Sequence, residues 1–157
     1  MIEIERKFLT KNSDWKNLIS YSQSLKQAYL LSSKEITLRV RTINQSEAFL
    51  TIKGKNLNSG LSREEFEYSI PFAEAEEMIK SFCRGKTIAK TRYICFFEGK
   101  RWEIDEFEGE LAGLTIAEIE LENENEIFAK PNWIGKEVTG DPAYYNAVLW
   151  KKINNNA

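Results

Sequence analysis

Hydrophobic and polar residues alternate along most of this chain. In residues 1–9, MIEIERKFL, the side chains Glu3, Glu5 and Lys7 fall on one face of an extended strand, and Ile2, Ile4 and Phe8 on the other. The period of two returns in residues 35–43, where Ile36, Leu38 and Val40 oppose Thr37, Arg39 and Arg41. It returns in 47–55, with Leu50 and Ile52 against Phe49, Thr51 and Lys53, and in 61–70, with Glu65 and Glu67 against Phe66, Tyr68 and Ile70. Residues 86–97 carry Lys90 and Arg92 on one face. Residues 100–107 set Glu103 and Asp105 against Trp102 and Ile104, with Phe107 at a bend, and 115–122 set Glu118, Glu120 and Glu122 against Ile119 and Leu121. Residues 21–31 complete the set of strands. Gly99 marks a hairpin turn, residues 56–60 another turn, and Gly85, Gly109 and Gly113 interrupt the chain.

Helical spacing is rarer. Ser13 suits the cap of a short helix through Trp15, Leu18 and Ile19. After Pro71, the positions Phe72, Ala75, Met78, Ile79 and Phe82 recur at helical intervals, with acids early and Lys80 late, as the helix dipole favours. A short helix is expected over 124–129. Asp141-Pro142 reads as the start of a last helix presenting Tyr144, Ala147, Val148 and Lys151, followed by a frayed tail over 154–157.

About eight strands with few helices between them predict an α+β protein built on an antiparallel barrel. The polar faces decide which way round it is. Basic residues gather on the Arg39 and Lys90 strands, acids on the Glu65, Asp105 and Glu118 strands, and the opposite faces are strongly apolar. A barrel whose charges line a tunnel, with helices packed outside, uses both faces. A sheet with its charged face in water is the alternative. Within a lumen, Lys7, Arg39, Arg41, Lys53, Lys90 and Arg92 would face Glu3, Glu5, Glu65, Glu67, Glu103, Asp105, Glu118 and Glu120. Burying so many charges without compensation is costly, so the tunnel must stay wet or hold ligands that neutralise both sets. A polyanion beside divalent cations does so, with phosphates on the basic wall and Mg²⁺ or Mn²⁺ on the acidic one.

Composition narrows the function. The chain of 157 residues is long enough for one domain, 1–157, with its own core. Lys and Arg number 22 against 24 Asp and Glu, a net charge of −2, which argues against general nucleic-acid or anionic-membrane binding. No apolar run reaches membrane-spanning length and the start lacks a signal-peptide pattern, so a cytoplasmic location is expected. There is no histidine, which removes His-based general bases, His–Cys zinc sites and Ser-His-Asp triads. Cys83 and Cys95 lack metal or redox spacing and read as reduced and structural.

The series as a whole resembles a known family. Glu3-Ile4-Glu5-Arg6-Lys7 is similar to the ExExK signature of the CYTH, or triphosphate tunnel metalloenzyme, superfamily. Arg39-Val40-Arg41, Lys53, Glu65-Phe66-Glu67, Lys90-Thr91-Arg92-Tyr93, Asp105 and Glu118-Ile119-Glu120 follow in the family's order. Residues 60–67 and Glu137-Val138-Thr139 resemble the short bacterial members. The resemblance implies an eight-stranded tunnel in which Lys7, Arg39, Arg41, Lys53, Lys90 and Arg92 hold phosphates. It implies metal on Glu3, Glu5, Glu118 and Glu120, with Glu65, Glu67 and Asp105 as further ligands or supporting groups, and catalytic parts for Lys7, Glu65 and Lys90. Some members place a base from the C-terminal helix near the triphosphate. Tyr144-Tyr145-Asn146 offers none and Lys151 is a poor substitute, which leaves one tunnel end unaccounted for. The leading expectation is metal-dependent hydrolysis of inorganic triphosphate to pyrophosphate and phosphate. A class IV-type adenylyl cyclase, a thiamine triphosphatase with Trp15, Trp102 or Tyr29 stacking the ring, and a non-catalytic polyphosphate or nucleotide binder are the alternatives. A homodimer stays open.

Overall fold

In the computed structural model, which describes residues 1–83 and 86–155, nine strands and two helices follow one another, eight of the strands where the sequence pattern places them. The strands are β1 (Ile2–Thr10), β2 (Ile19–Ser32), β3 (Ile36–Ile43), β4 (Glu47–Gly54), β5 (Ser62–Ile70), β6 (Ile88–Phe97), β7 (Lys100–Phe107), β8 (Thr115–Glu120) and β9 (Ile134–Glu137); the helices are α1 (Phe72–Phe82) and α2 (Asn146–Asn155). The sheet order is β5-β4-β3-β2-β6-β7-β8-β1-β9, all antiparallel, and a further β5–β1 pairing closes it into an eight-stranded barrel. The interruption expected at Gly85 and the end of the expected tail lie outside the described residues.

β1 makes the closure by serving two partners. Ile2 to Ile4 pair with Glu64 to Ser62 of β5, and Glu5 to Leu9 pair with Glu120 to Ile116 of β8. Where β5 leaves, β9 takes over the freed edge of β1, pairing Thr10 with Ile134. β9 has four residues and no alternation of its own, so sequence reasoning missed it. Gly135 lets it approach, because a Cβ there would lie 3.0 Å from the Leu9 carbonyl oxygen. Side chains at its C-terminal end lock the strand. Thr139 Oγ1 accepts the Lys7 backbone N–H at 2.9 Å, and Glu137 takes a two-pronged bond from Arg6 at 2.9 and 2.6 Å. The Glu137-Val138-Thr139 run therefore anchors the part of β1 that carries Lys7.

The apolar faces look outward, as expected. Phe8, Trp102, Ile104, Ala117 and Ile119 leave the barrel wall and pack under Trp15 and Trp133, with the Trp102 and Trp133 rings edge-to-face at 5.4 Å. α1 covers another sector, setting Ala75 and Ile79 on Ala28, Val40 and Ala48. α2 does something else. Its Leu149 packs on Ile88, Phe107 and Ile116, the last two on the same strand faces as Asp105 and Glu118, so α2 lies across one mouth of the barrel. That accounts for the tunnel end the sequence left open. With only α1 on the outside, Phe66 and Tyr68 of β5 remain exposed on the outer wall.

Several local expectations need correction. Residues 124–129 form a turn and an irregular segment rather than a helix, because Asn123 Oδ1 accepts Asn125 N–H at 3.0 Å and Glu126 Oε1 accepts Glu122 N–H at 2.7 Å, offering the backbone non-helical partners. The segment after Ser13 is a 3₁₀ turn (Asp14–Leu18) whose Asp14 N–H is met by Asn12, not Ser13, and Ile19 belongs to β2. Asp141 does cap, accepting Ala143 N–H at 3.1 Å, but the element it caps is a 3₁₀ turn, Pro142–Tyr144. α2 starts at Asn146 and includes Asn154, so Tyr144 precedes its stripe.

Candidate functional site

The lumen is a cavity of about 890 Å³ whose walls bring together Glu3, Glu5, Lys7, Arg39, Arg41, Lys53, Glu65, Glu67, Arg92, Glu103, Glu118 and Glu120. Residues two apart on one strand project to one side, so each strand contributes its charged set as a row. Cross-strand registers then mix the rows. Lys53 stands opposite Glu65, and Lys7 opposite Glu118.

Most of the cations are spoken for. Lys53 Nζ lies 2.9 Å from Glu3 and 3.7 Å from Glu65. Lys7 lies 3.7 Å from Glu118 and 3.8 Å from Glu5. Burial pulls the Lys7 ammonium down, but Glu118 and Glu5 overcome it and leave its pKa above the ordinary lysine value. For Lys53 burial wins over Glu3, and its pKa is lowered. Arg92 grips Asp105 through two bonds, 2.7 and 2.8 Å, and reaches Glu103 at 3.2 Å.

Arg41 is different. Its Nε donates to the amide oxygen of Gln27 at 3.1 Å, and it enters no ion pair among the described residues. Burial, with Arg39 and Arg92 adding repulsion, pushes it down to about 9. A guanidinium stays protonated in neutral water, so the cost is carried as positive charge awaiting an anion. Arg39 adds to it. It bonds Thr51 at 3.2 Å and stands 3.5 Å from Glu67, yet its buried Nε has no hydrogen-bond partner among the described residues.

The carboxylates concentrate on β1, β5 and β8. Glu5 stands directly opposite Glu120, and Glu103 opposite Glu118. Like charges in such register repel unless a cation lies between them. The Glu120 carboxyl is accordingly raised, by burial first and then by Glu3, Glu5, Glu65 and Glu103. Burial also raises Glu65. The donor set is all hard oxygen, which fits Mg²⁺ or Mn²⁺ and excludes a soft-metal site. No three acidic or sulfur side chains form a ready cage among the described residues. Mg²⁺ needs none, since it binds through one or two carboxylates together with waters and substrate phosphates.

Two expected residues sit elsewhere than the pattern suggested. Lys90 and Asp105 are each 1% exposed and lie behind the cavity wall. Asp105 bonds Lys90 at 2.7 Å as well as Arg92, so its oxygens are committed to cations of the basic wall, in line with the supporting place the resemblance allowed it. Burial raises the Asp105 carboxyl, but Arg92 and Lys90 hold it well below the usual carboxylate range. Lys90, lowered by burial, also donates to Asn146 at 3.0 Å and sits over the Phe107 ring, out of reach of a lumen ligand. Glu67 accepts from Thr51 at 2.9 Å beside Arg39, away from the Glu120 cluster.

Sequence reasoning missed three lumen residues and one, Gln27, that lies fully buried behind the wall. Arg63, 3.7 Å from Glu3, is two positions before Glu65 and was readable by the same alternation. Tyr145, whose ring faces Lys7 Nζ at 5.8 Å, and Asn146 come from the segment entering α2. Gln27 is neutral and gave no charge signal.

The model of the CYTH domain matches residues 1–145. The inorganic triphosphatase of Acetivibrio thermocellus is 46% identical over 154 residues, 98% of this chain and 96% of the relative. That of Nitrosomonas europaea is 37% identical over 153 residues, 95% and 97% of the two chains. Among solved structures, the crystal structure of the inorganic triphosphatase NE1496 superposes with a TM-score of 0.65 at 33% identity, covering 94% of this chain and 93% of that one.

Proposed function

Because the chain belongs to the CYTH family, and near-full-length relatives are inorganic triphosphatases, we propose that it hydrolyses inorganic triphosphate to pyrophosphate and phosphate, using Mg²⁺ or Mn²⁺. The observation that carries this reading is Arg41, a half-buried guanidinium with no carboxylate partner among the described residues, facing the same cavity as the mutually repelling Glu5 and Glu120. Anion on one side and cation on the other relieve both costs.

Arg41, Arg39, Lys53, Lys7 and Arg92 bind the phosphate oxygens and take up charge as the terminal group departs. Arg63 joins them from β5. Glu120, Glu118, Glu5 and Glu3 would hold the metal, which when bound neutralises phosphate charge and lowers the pKa of a coordinated water. Glu65, with its raised pKa and its place beside Lys53, is suited to accept the proton of the attacking water. Lys90 and Asp105 act from behind, fixing Arg92. Binding and electrostatics do the chemistry without a covalent intermediate. The lumen's aromatic lining is limited to Tyr29 and Tyr145 among the described residues, which gives little for a base or thiazolium ring to stack on and favours the bare triphosphate over nucleotide or thiamine esters.

A phosphate-release panel tests this. Inorganic triphosphate with Mg²⁺ or Mn²⁺ should turn over far faster than ATP or thiamine triphosphate, and chelation should abolish it. Formation of cyclic AMP from ATP, or no turnover of any substrate, would contradict it. Glu120→Ala should lose metal-dependent turnover by roughly 100-fold or more, the several kcal/mol a metal ligand set supplies. Its melting temperature should stay the same or rise, since the substitution removes a carboxylate crowded by four others.

A further inference from the structure

Each charged group of the lumen has to be held in place, and nearly every cation there is held by a carboxylate. Arg41 is held by an amide instead. Gln27 of β2 is fully buried, and Arg41 of β3 stands directly opposite it in register. Gln27 Oε1 accepts from Arg41 Nε at 3.1 Å, and Gln27 Nε2 donates to Asn146 Oδ1 at 3.1 Å. The same Asn146 oxygen accepts from Lys90 Nζ at 3.0 Å. Both amides are fixed in orientation, because arginine and lysine can only donate. The oxygen of Gln27 must face Arg41, so its NH₂ must face Asn146, whose oxygen must face Gln27 and Lys90. Tyr29 Oη, 3.4 Å from Gln27 Nε2, completes the surroundings.

The alternative design is a glutamate at Gln27. It would fill the same space, pair with Arg41 and offset the repulsion from Arg39 and Arg92. It would also neutralise the cation before a substrate arrived, and an incoming phosphate would then meet a carboxylate as well as a guanidinium. Resting on the triphosphatase reading, we propose that Gln27 and Asn146 are positioning residues that aim Arg41 into the lumen through neutral amide contacts, so that its full charge is kept for the substrate. Asn146, the first residue of α2, ties this aim to the seating of the helix across the mouth.

The test is a double-mutant cycle on the full chain. Wild type, Gln27→Glu, Arg41→Ala and the double variant are compared for triphosphate hydrolysis with Mg²⁺ and for melting temperature. Gln27→Glu should raise KM for triphosphate at least about tenfold with a smaller change in kcat, a factor equivalent to about 1.4 kcal/mol; its melting temperature, which sets the partner gained by Arg41 against the donor lost to Asn146 Oδ1, shows that the protein assayed is folded. In the Arg41→Ala background the same change should alter kcat/KM less than about twofold, since the group it acts through is gone. Asn146→Ala should move KM in the same direction as Gln27→Glu. Unchanged KM in Gln27→Glu, or an equal loss with and without Arg41, overturns the inference while leaving the triphosphatase reading intact. A wild-type protein that turns over no triphosphate overturns the reading itself. In that case the increase in melting temperature produced by triphosphate in the presence of chelator is compared across the same four proteins, and an equal increase in wild type and Gln27→Glu overturns the inference as well.

Discussion

Replacing Arg41 by alanine should lower kcat/KM for inorganic triphosphate by roughly 100- to 1,000-fold, the loss of about 3–4 kcal/mol that a preorganised charge contributes in a water-poor site. The melting temperature should not fall, and should rise if the void fills with water. The pairing of these two outcomes rests on where Arg41 stands. It is half-buried, repelled by Arg39 and Arg92, and bonded to the neutral Gln27, so the ion-free fold gains little from its charge. A residue that destabilises the fold yet sits in the lumen is placed for a ligand. Steady-state kinetics with a thermal melt on the same samples reads both. Activity within about threefold of wild type would remove Arg41 from the phosphate wall, since a lost charge contact there is worth far more than that.

The opposite balance is expected of Asp105→Asn. Removing the carboxylate leaves Lys90 and Arg92 buried beside a neutral group, and breaking a buried ion pair from one side costs about 3–5 kcal/mol. For a chain of this size that corresponds to a fall of roughly 10 °C in melting temperature. Activity falls too, through Arg92, but the protein that remains folded keeps its metal dependence, because Asp105 faces cations and not the Glu120 cluster. The stability loss depends on pH in a defined direction. Asp105 has its pKa depressed in the fold, so its contribution is present above the ordinary aspartate value near about 3.9 and fades as pH falls below it toward the folded value. Wild type and Asp105→Asn should therefore differ most near neutral pH and converge in acid. A gap that stays constant from neutral to strongly acidic pH would mean that shape, not charge, makes Asp105 matter.

How much of this could be read in the chain depends on which property carries each feature. Strict alternation is a one-dimensional signal, and it placed β1, β3, β4, β5, β7 and β8 with their charged rows, including Arg39, Arg41 and Glu118, on faces that do converge on one cavity. Alternation does not report depth along a strand. Ile116 shares a face with Glu118, and Phe107 with Asp105, yet these apolar members lie under Leu149 of α2 while Glu118 faces the lumen. Lys90 falls behind the wall for the same reason. Register is not legible either. Arg92 stands opposite Asp105, and this pairing, invisible in sequence spacing, is what commits Asp105 to the cations of the basic wall. Arg63 was legible and overlooked, being in phase with Glu65 and Glu67. Gln27 was not, since a neutral amide on a strand gives no sign that its neighbour across the sheet is an arginine without a counter-ion. β9 is too short to show a period, and the place of α2 depends on tertiary packing of Leu149 and Trp150.

A crystal structure of the protein soaked with inorganic triphosphate in the presence of a metal chelator tests the central claim most directly. The account predicts the triphosphate inside the barrel, with phosphate oxygens within hydrogen-bond distance of Arg41 and of the unpartnered Arg39 Nε, and Lys53 close by. Triphosphate bound only on the outer surface, or an Arg41 side chain paired with a carboxylate while the lumen holds nothing but water, would contradict it.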